Sequence, residues 1–380
     1  MGTDRRSFLK HVVAGYAAFK ASTAALTAQI LPPYVPKVQP GKPGKADYKR
    51  IATEEAWGPP ELFEMYADNI KNGALIDPGF VYMWSLFMGQ PVFKELMVQL
   101  QDIGERRIQD MDAAGIDKMI LSLTAPGVQI FDAATANSLA TSTNDQLAEA
   151  IRKYPDRYAG LAAVAPQDPP AAAKEMERAI KKLGLHGVII NSHTKGEYLD
   201  DPKYWEIFEA AEALDAAIYL HPQTPPANMV MPYLARGFER AILGFAHELS
   251  VHILGLMTSG VFDRFPKLKM VIGHGGEGLP YMLYRLDYMY ANARNPFMKK
   301  VDKLPSDYMK ENIYITTSGL PWAPAITMAI SVLGIDRVLY AMDYPYEYVA
   351  EEVTMTDNFP ISAQDKKKLF QLNAEKVFKL

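Results

Sequence analysis

Seven histidines and no cysteine mean that any metal this chain holds must sit on imidazole and carboxylate. Three of the histidines end short apolar runs rich in Val, Ile and Leu: His193 follows Asn191-Ser192, His221 precedes Pro222, and His274 opens His274-Gly-Gly-Glu277. Carboxylates end two further runs, Glu54-Glu55 near the start and Asp343-Tyr-Pro345 near the end. Any one of these residues could cap a helix or close a turn. Their joint occurrence at run ends points instead to a metal or acid–base site, because imidazole and carboxylate brought together can bind a divalent ion or pass a proton. The other histidines are weaker candidates. His247-Glu248-x-x-x-His252 resembles a metalloprotease helix, but that motif needs two imidazoles four residues apart. A spacing of five turns the second ring about 140° away, so the pair is read as helix surface and not as ligands. His186 precedes a strand, at the end associated with stability, and His11 lies in the amino-terminal leader.

For the run ends to meet, the runs must be parallel strands. Eight are present, at residues 50–54, 119–123, 158–164, 187–191, 217–221, 270–274, 313–317 and 338–343. Stretches of helical period separate them; Trp205, Phe208, Ala211 and Leu214 recur every three residues with Ile207 beside them. Gly115, Gly184 and Gly334 each stand between a helical stretch and the next strand, as helix C-caps do. This alternation predicts an α/β fold, a (β/α)8 TIM barrel, whose chemistry lies at the C-terminal ends of its strands. The usual barrel of ~250 residues leaves room for an inserted helical segment at residues 72–100. Its Phe80, Tyr82, Met83, Trp84, Phe87 and Met88 suit a lid or a subunit contact, with core packing as the alternative.

A chain that is 49% hydrophobic and 22% charged, with a net charge of −4, is an ordinary globular one. That composition argues against disorder, collagen-like repeats and a polybasic nucleic-acid binder. No segment reaches the ~18 uninterrupted apolar residues of a membrane span. Residues 1–30 carry Arg5-Arg6-Ser7-Phe8-Leu9-Lys10 before an Ala-rich run to Phe19, which resembles a twin-arginine export signal and implies a periplasmic enzyme exported already folded. A basic tail on a cytoplasmic protein is the alternative. Residues 31–48, rich in Pro, Gly and Lys, read as a linker to a catalytic domain at 49–380.

Five motifs then carry a family resemblance: Ile51-Ala-Thr-Glu-Glu-Ala-Trp57; Ile190-Asn-Ser-His-Thr194; Tyr219-Leu-His-Pro222; Gly273-His-Gly-Gly-Glu277 with Tyr284-Arg-Leu-Asp287; and Met342-Asp-Tyr-Pro345. Together they resemble the ACMSD-like branch of the amidohydrolase superfamily, the metal-dependent non-oxidative decarboxylases, and most of all its 5-carboxyvanillate decarboxylase group. The resemblance implies one divalent metal on Glu54, His221 and Asp343, with His274 and Glu277 as an acid–base dyad. It implies that His193 and Phe245 line the substrate pocket and that Arg285 reads a substrate carboxylate, within the chain or across a subunit boundary. Many relatives place a second imidazole two residues after the first ligand, where this chain has Ala56. One imidazole and two carboxylates form an oxygen-rich set that favours Mn²⁺, with Zn²⁺ as the second candidate.

The substrate implied is a small ortho-hydroxylated aromatic acid of the 5-carboxyvanillate or dihydroxybenzoate type, and the assembly a homodimer or larger homo-oligomer. Asp343 would protonate the ring carbon that bears the carboxylate, so that CO₂ leaves without an aryl anion. Two rival functions remain at this point. One is a metal-dependent hydrolase such as a lactonase on the same barrel; the other is a metal or aromatic-acid binding protein without turnover.

Overall fold

The structure, a computed structural model, describes residues 43–73, 77–296 and 298–380. The export signal expected at residues 1–30 and most of the 31–48 linker lie outside the described residues. The eight expected runs become eight parallel staves: β1 (Ile51–Trp57), β2 (Lys118–Leu123), a third stave broken at Leu161 into β3 (Tyr158–Gly160) and β4 (Ala162–Ala163), β5 (Gly187–Ile190), β6 (Ala217–Leu220), β7 (Lys269–Ile272), β8 (Ile313–Thr316) and β9 (Val338–Leu339). Each pairs in parallel with the next, and Leu161 N–H donates to Leu121 O at 2.9 Å across the break. Thr53 N–H to Tyr340 O (3.1 Å) and Ala56 N–H to Tyr344 O (2.7 Å) join the last stave to the first, closing the (β/α)8 barrel.

The apolar runs are continuous because both faces of each strand are covered. On β6, Ala217 and Tyr219 belong to the group filling the barrel while Ile218 and Leu220 pack under the helices, and all four are buried. The glycine joints have the expected role: Gly115 and Gly184 end their helices in the left-handed region at φ 75° and 74°, where a Cβ costs energy. His186 ties the bottom of the barrel shut, its Nδ1 lying 3.1 Å from the carbonyl of Phe378 in the C-terminal helix Asn373–Phe378.

Two expectations are refined. The eighth run ladders only over β9, because Asp343 takes φ 68°, which no strand can carry on through. The insertion forms helices Pro78–Gly89 and Lys94–Gln101, and its aromatics divide between core and cavity wall. Trp84 is fully buried against Phe63 and Tyr66 as core, whereas Met83, Phe87, Phe93 and Leu96 wall a cavity at the top of the barrel. Among the described residues, no helix is long and apolar enough to cross a membrane.

Candidate active site and metal centre

The centre of the site is Glu54 on β1, which is 2% exposed. Its Oε2 accepts hydrogen bonds from Tyr219 Oη on β6 and from Thr316 Oγ1 on β8 (3.1 Å), both reaching across the barrel interior from staves that do not pair with β1. Its Oε1 has no hydrogen-bond partner and lies 3.4 Å from Nε2 of both His221 and His274. Space around this carboxylate is tight, since a Cβ on Gly273 would stand 2.6 Å from Glu54 Oε2.

His221, just past β6, has Nδ1 2.6 Å from its neighbour's Pro222 carbonyl. A carbonyl only accepts, so Nδ1 carries the proton and Nε2 offers a lone pair toward Glu54. Burial pushes this imidazole down to about 4, which keeps it in the neutral form that binds metals. His274 lies 2.6 Å from Glu277 Oε1 through Nδ1, with Nε2 3.8 Å from Asp343 Oδ2. Burial alone would lower His274, but the Glu277 and Glu54 carboxylates outweigh it and hold the imidazole above its ordinary value. Burial also raises the Asp343 carboxyl, helped by Glu54 and opposed by His274.

The fit to a divalent ion rests on the orphaned Glu54 oxygen. An unpartnered buried carboxylate oxygen costs free energy unless a cation or a proton reaches it. The donor atoms of Glu54, His221 and His274 lie within 4.8 Å of one another. Asp343 stands at the edge of this group, on the His274 side.

A cavity of about 300 Å³ opens onto His221, His274 and Asp343. Apolar side chains from the insertion, with Phe245, form one wall; Arg240, Tyr346 and Glu347 add polar groups. Phe245, His274, Asp343 and Glu347 also line a second cavity, of about 830 Å³, reaching outward to Tyr281 and Met282.

An amidohydrolase family model matches residues 93–380. The chain belongs to the amidohydrolase family. A gamma-resorcylate decarboxylase from Polaromonas sp. is 40% identical over 310 residues, 77% of this chain and 93% of the relative. A crystal structure of 5-carboxyvanillate decarboxylase from Novosphingobium aromaticivorans, complexed with manganese and 4-hydroxy-3-methoxy-5-nitrobenzoic acid, is 48% identical with a TM-score of 0.87, covering 89% of this chain and 98% of that one. A dihydroxybenzoic acid decarboxylase from Polaromonas sp., with bound manganese and the inhibitor 2-nitroresorcinol, is 37% identical with a TM-score of 0.77, covering 88% and 97%. The resemblance read from the motifs is thereby borne out.

Within this amidohydrolase, the expected residues Glu54, His221, His274, Glu277, Asp343 and Phe245 come together around one barrel mouth. His193 and Arg285 do not join them. His193 lines a separate cavity of about 460 Å³ beside Asp77, and both its ring nitrogens are engaged: Nε2 with Thr224 O (3.0 Å), and Nδ1 as acceptor from Gly196 N–H (3.1 Å). Arg285 is exposed on helix Leu279–Ala291, in a groove with Leu254 and Met298. Sequence reasoning passed over Tyr219, Thr316, Arg240, Tyr346 and Glu347. Tyr219 and Thr316 carried a signal, since each sits on the barrel-facing side at the end of a run. Arg240 and Glu347 fall in irregular segments where no period points to a face.

His252 proves to be neither ligand nor helix surface, being fully buried. Leu199 N–H donates to its Nε2 (3.0 Å), so Nδ1 bears the proton and donates to Ser192 Oγ (2.9 Å), which donates in turn to Glu248 Oε1 (2.6 Å). Ser192 gives its proton to a carboxyl and takes one from the imidazole, the reverse of what a serine nucleophile needs. Burial pushes Glu248 up to about 8 from 4.5. Between those values the folded state holds a proton the unfolded state has lost, so this group's stabilisation falls as pH rises from 5 to 8. Glu248→Gln copies the protonated form. Its melting temperature should match the parent near pH 5 and exceed it increasingly toward pH 8; parallel melting curves across that range would refute the assignment.

Proposed function

We propose that this chain is a metal-dependent, non-oxidative decarboxylase of ortho-hydroxylated aromatic acids, and that its preferred substrate carries a second anionic group on the ring. The observation that carries the first part is the orphaned Glu54 oxygen facing His221 and His274 at the mouth of a barrel shared with manganese-bearing aromatic-acid decarboxylases. Glu54, His221 and Asp343 would hold a Mn²⁺ ion, with His274 and Glu277 as the acid–base pair. When bound, the ion neutralises the phenolate and carboxylate of the substrate and fixes the ring.

The chain's own groups then move the proton. Asp343, whose Oδ2 lies 3.8 Å from His274 Nε2, is the proton donor to the ring carbon bearing the carboxylate. As that carbon gains the proton its bond to the carboxylate breaks, CO₂ leaves and the ring electrons return to aromaticity. His274, between Glu277 and Asp343, restores the proton. Met83, Phe87, Phe93, Leu96 and Phe245 keep water from the ring and strengthen each charge interaction inside.

Arg240 supports the second part. Its Nε donates to the buried Glu239 (3.1 Å), its guanidinium lies 5.5 Å from the Phe87 ring, and it lines the same cavity as His221 and Asp343. A guanidinium held in this way suits a carboxylate at the far side of the ring. The metal-stripped protein restored with Mn²⁺ should release one CO₂ per 5-carboxyvanillate consumed. Arg240→Met should raise KM for that dicarboxylate roughly 10- to 100-fold and leave 2,6-dihydroxybenzoate nearly unaffected. Metal-loaded protein that releases no CO₂ from any such acid would sink the decarboxylase reading; equal effects of Arg240→Met on both acids would sink the dicarboxylate preference.

Two proposals concern setting. Tyr281, Tyr284, Tyr288 and Met289 are exposed along helix Leu279–Ala291, beside Arg285, which supports pairing of this face with a second copy. Sedimentation should give a dimer or larger species, and a monomer at micromolar concentration would overturn the pairing. The Arg5-Arg6 leader supports export to the periplasm. Fractionated cells should hold the enzyme there, and Arg5→Lys with Arg6→Lys should retain it in the cytoplasm; unchanged fractions would count against export.

A further inference from the structure

The seam where the barrel closes is unlike the other joints between staves. Those are backbone ladders, but β9 is only two residues long, and the chain beyond it runs beside β1 with backbone bonds at Tyr340 O and Tyr344 O. Between these points the N–H groups of Met342 and Tyr344 need acceptors, and Asp343, at φ 68°, has taken the backbone out of ladder geometry. A side chain supplies what the ladder cannot. Glu55 Oε1 accepts from Met342 N–H and Glu55 Oε2 from Tyr344 N–H, each at 3.0 Å. Glu55 is fully buried, and it is the residue next to Glu54.

We propose that Glu55 is a positioning residue for the metal centre: its two carboxyl oxygens hold the N–H groups of Met342 and Tyr344, the residues on either side of Asp343, and so fix the distance and direction of the Asp343 carboxyl relative to Glu54. One dipeptide of β1 thus provides a ligand and the clamp that aims another ligand. Both oxygens are needed because a single hydrogen bond would leave the peptide pair free to rotate about the unfavourable Asp343 backbone. Neighbouring groups brace the same turn. Fully buried Arg107 donates from Nη2 to Ala56 O (2.9 Å) and Gln99 O (3.0 Å), and its guanidinium lies 4.6 Å from the Tyr344 ring. Tyr344 Oη donates to Asp110 Oδ2 (2.7 Å). The turn carrying Asp343 is therefore braced by protein groups of its own, through Glu55, Arg107 and Asp110.

This inference rests on the reading of Glu54 and Asp343 as ligands, and the experiment separates the two. Hydrogen exchange at the Met342 and Tyr344 amides is measured in the parent protein, metal-stripped and Mn²⁺-loaded. The clamp predicts slow exchange in both states; amides that exchange freely without metal and slow only with it would overturn the proposal, since the ion would then be building the turn. In parallel, Mn²⁺ affinity is read from the paramagnetic resonance signal of the free aqua ion for Glu55→Gln. Gln keeps one acceptor oxygen and sets an NH₂ against the other N–H. Affinity should fall 10- to 100-fold, as it does when an outer partner of a ligand is lost, and the resonance spectrum of the bound ion should change. A residue that serves folding alone would lower the metal-free melting temperature and leave affinity and spectrum at parent values, which would refute the clamp. Glu54→Gln is the reference. If it binds Mn²⁺ as tightly as the parent, the ligand reading fails, and the exchange measurement still decides whether Glu55 holds the turn.

Discussion

Carboxyl groups crowded into a buried space are the condition on which the site depends. Glu54, Glu55, Glu277 and Asp343 all reach one end of the barrel, with imidazoles as their near neighbours. Buried carboxylates persist only when each oxygen finds a proton, a donor or a cation. The chain meets that demand differently at each one. Backbone N–H groups satisfy Glu55, hydroxyls from two staves satisfy one oxygen of Glu54, and an imidazole takes up Glu277. The oxygen left over is Glu54 Oε1, and it faces His221 and His274, the imidazoles that line the cavity.

The barrel supports this arrangement by dividing the work of each strand. Side chains within and outside the sheet close the core, while the residues past each strand end are freed from ladder geometry. Ser192, His274, Glu277 and Asp343 all take positive φ without being glycine. Such backbone is costly, and it clusters here because extended strands would aim these side chains along the barrel wall and not across its mouth. The surrounding hydrogen bonds hold the chain in these conformations.

Much of this was legible in the sequence, for identifiable reasons. Strands buried on both faces read as unbroken apolar runs, so the eight staves and the residues ending them could be found, and with them Glu54, His221, His274, Glu277 and Asp343. Periodicity does not say which way a side chain turns once its strand has ended. His193 shows this, since it follows a run as His221 does, yet the positive φ of Ser192 precedes it and it faces a different cavity. Arg240 was hidden for a related reason, because it lies where neither a helical nor a strand period applies. Glu55 was quoted only as the neighbour of Glu54; its role depends on a contact 289 residues away in sequence, with Tyr344.

Gly273 bears on how such an enzyme could be altered. Because a Cβ there would collide with the Glu54 carboxylate, every alternative amino acid at this position meets the same obstruction. A mutant library randomised at 273 would return almost only the starting residue among active clones. Variation aimed at new substrates belongs among the apolar cavity residues such as Leu96 and Ile242, which carry no charge for the centre to lose.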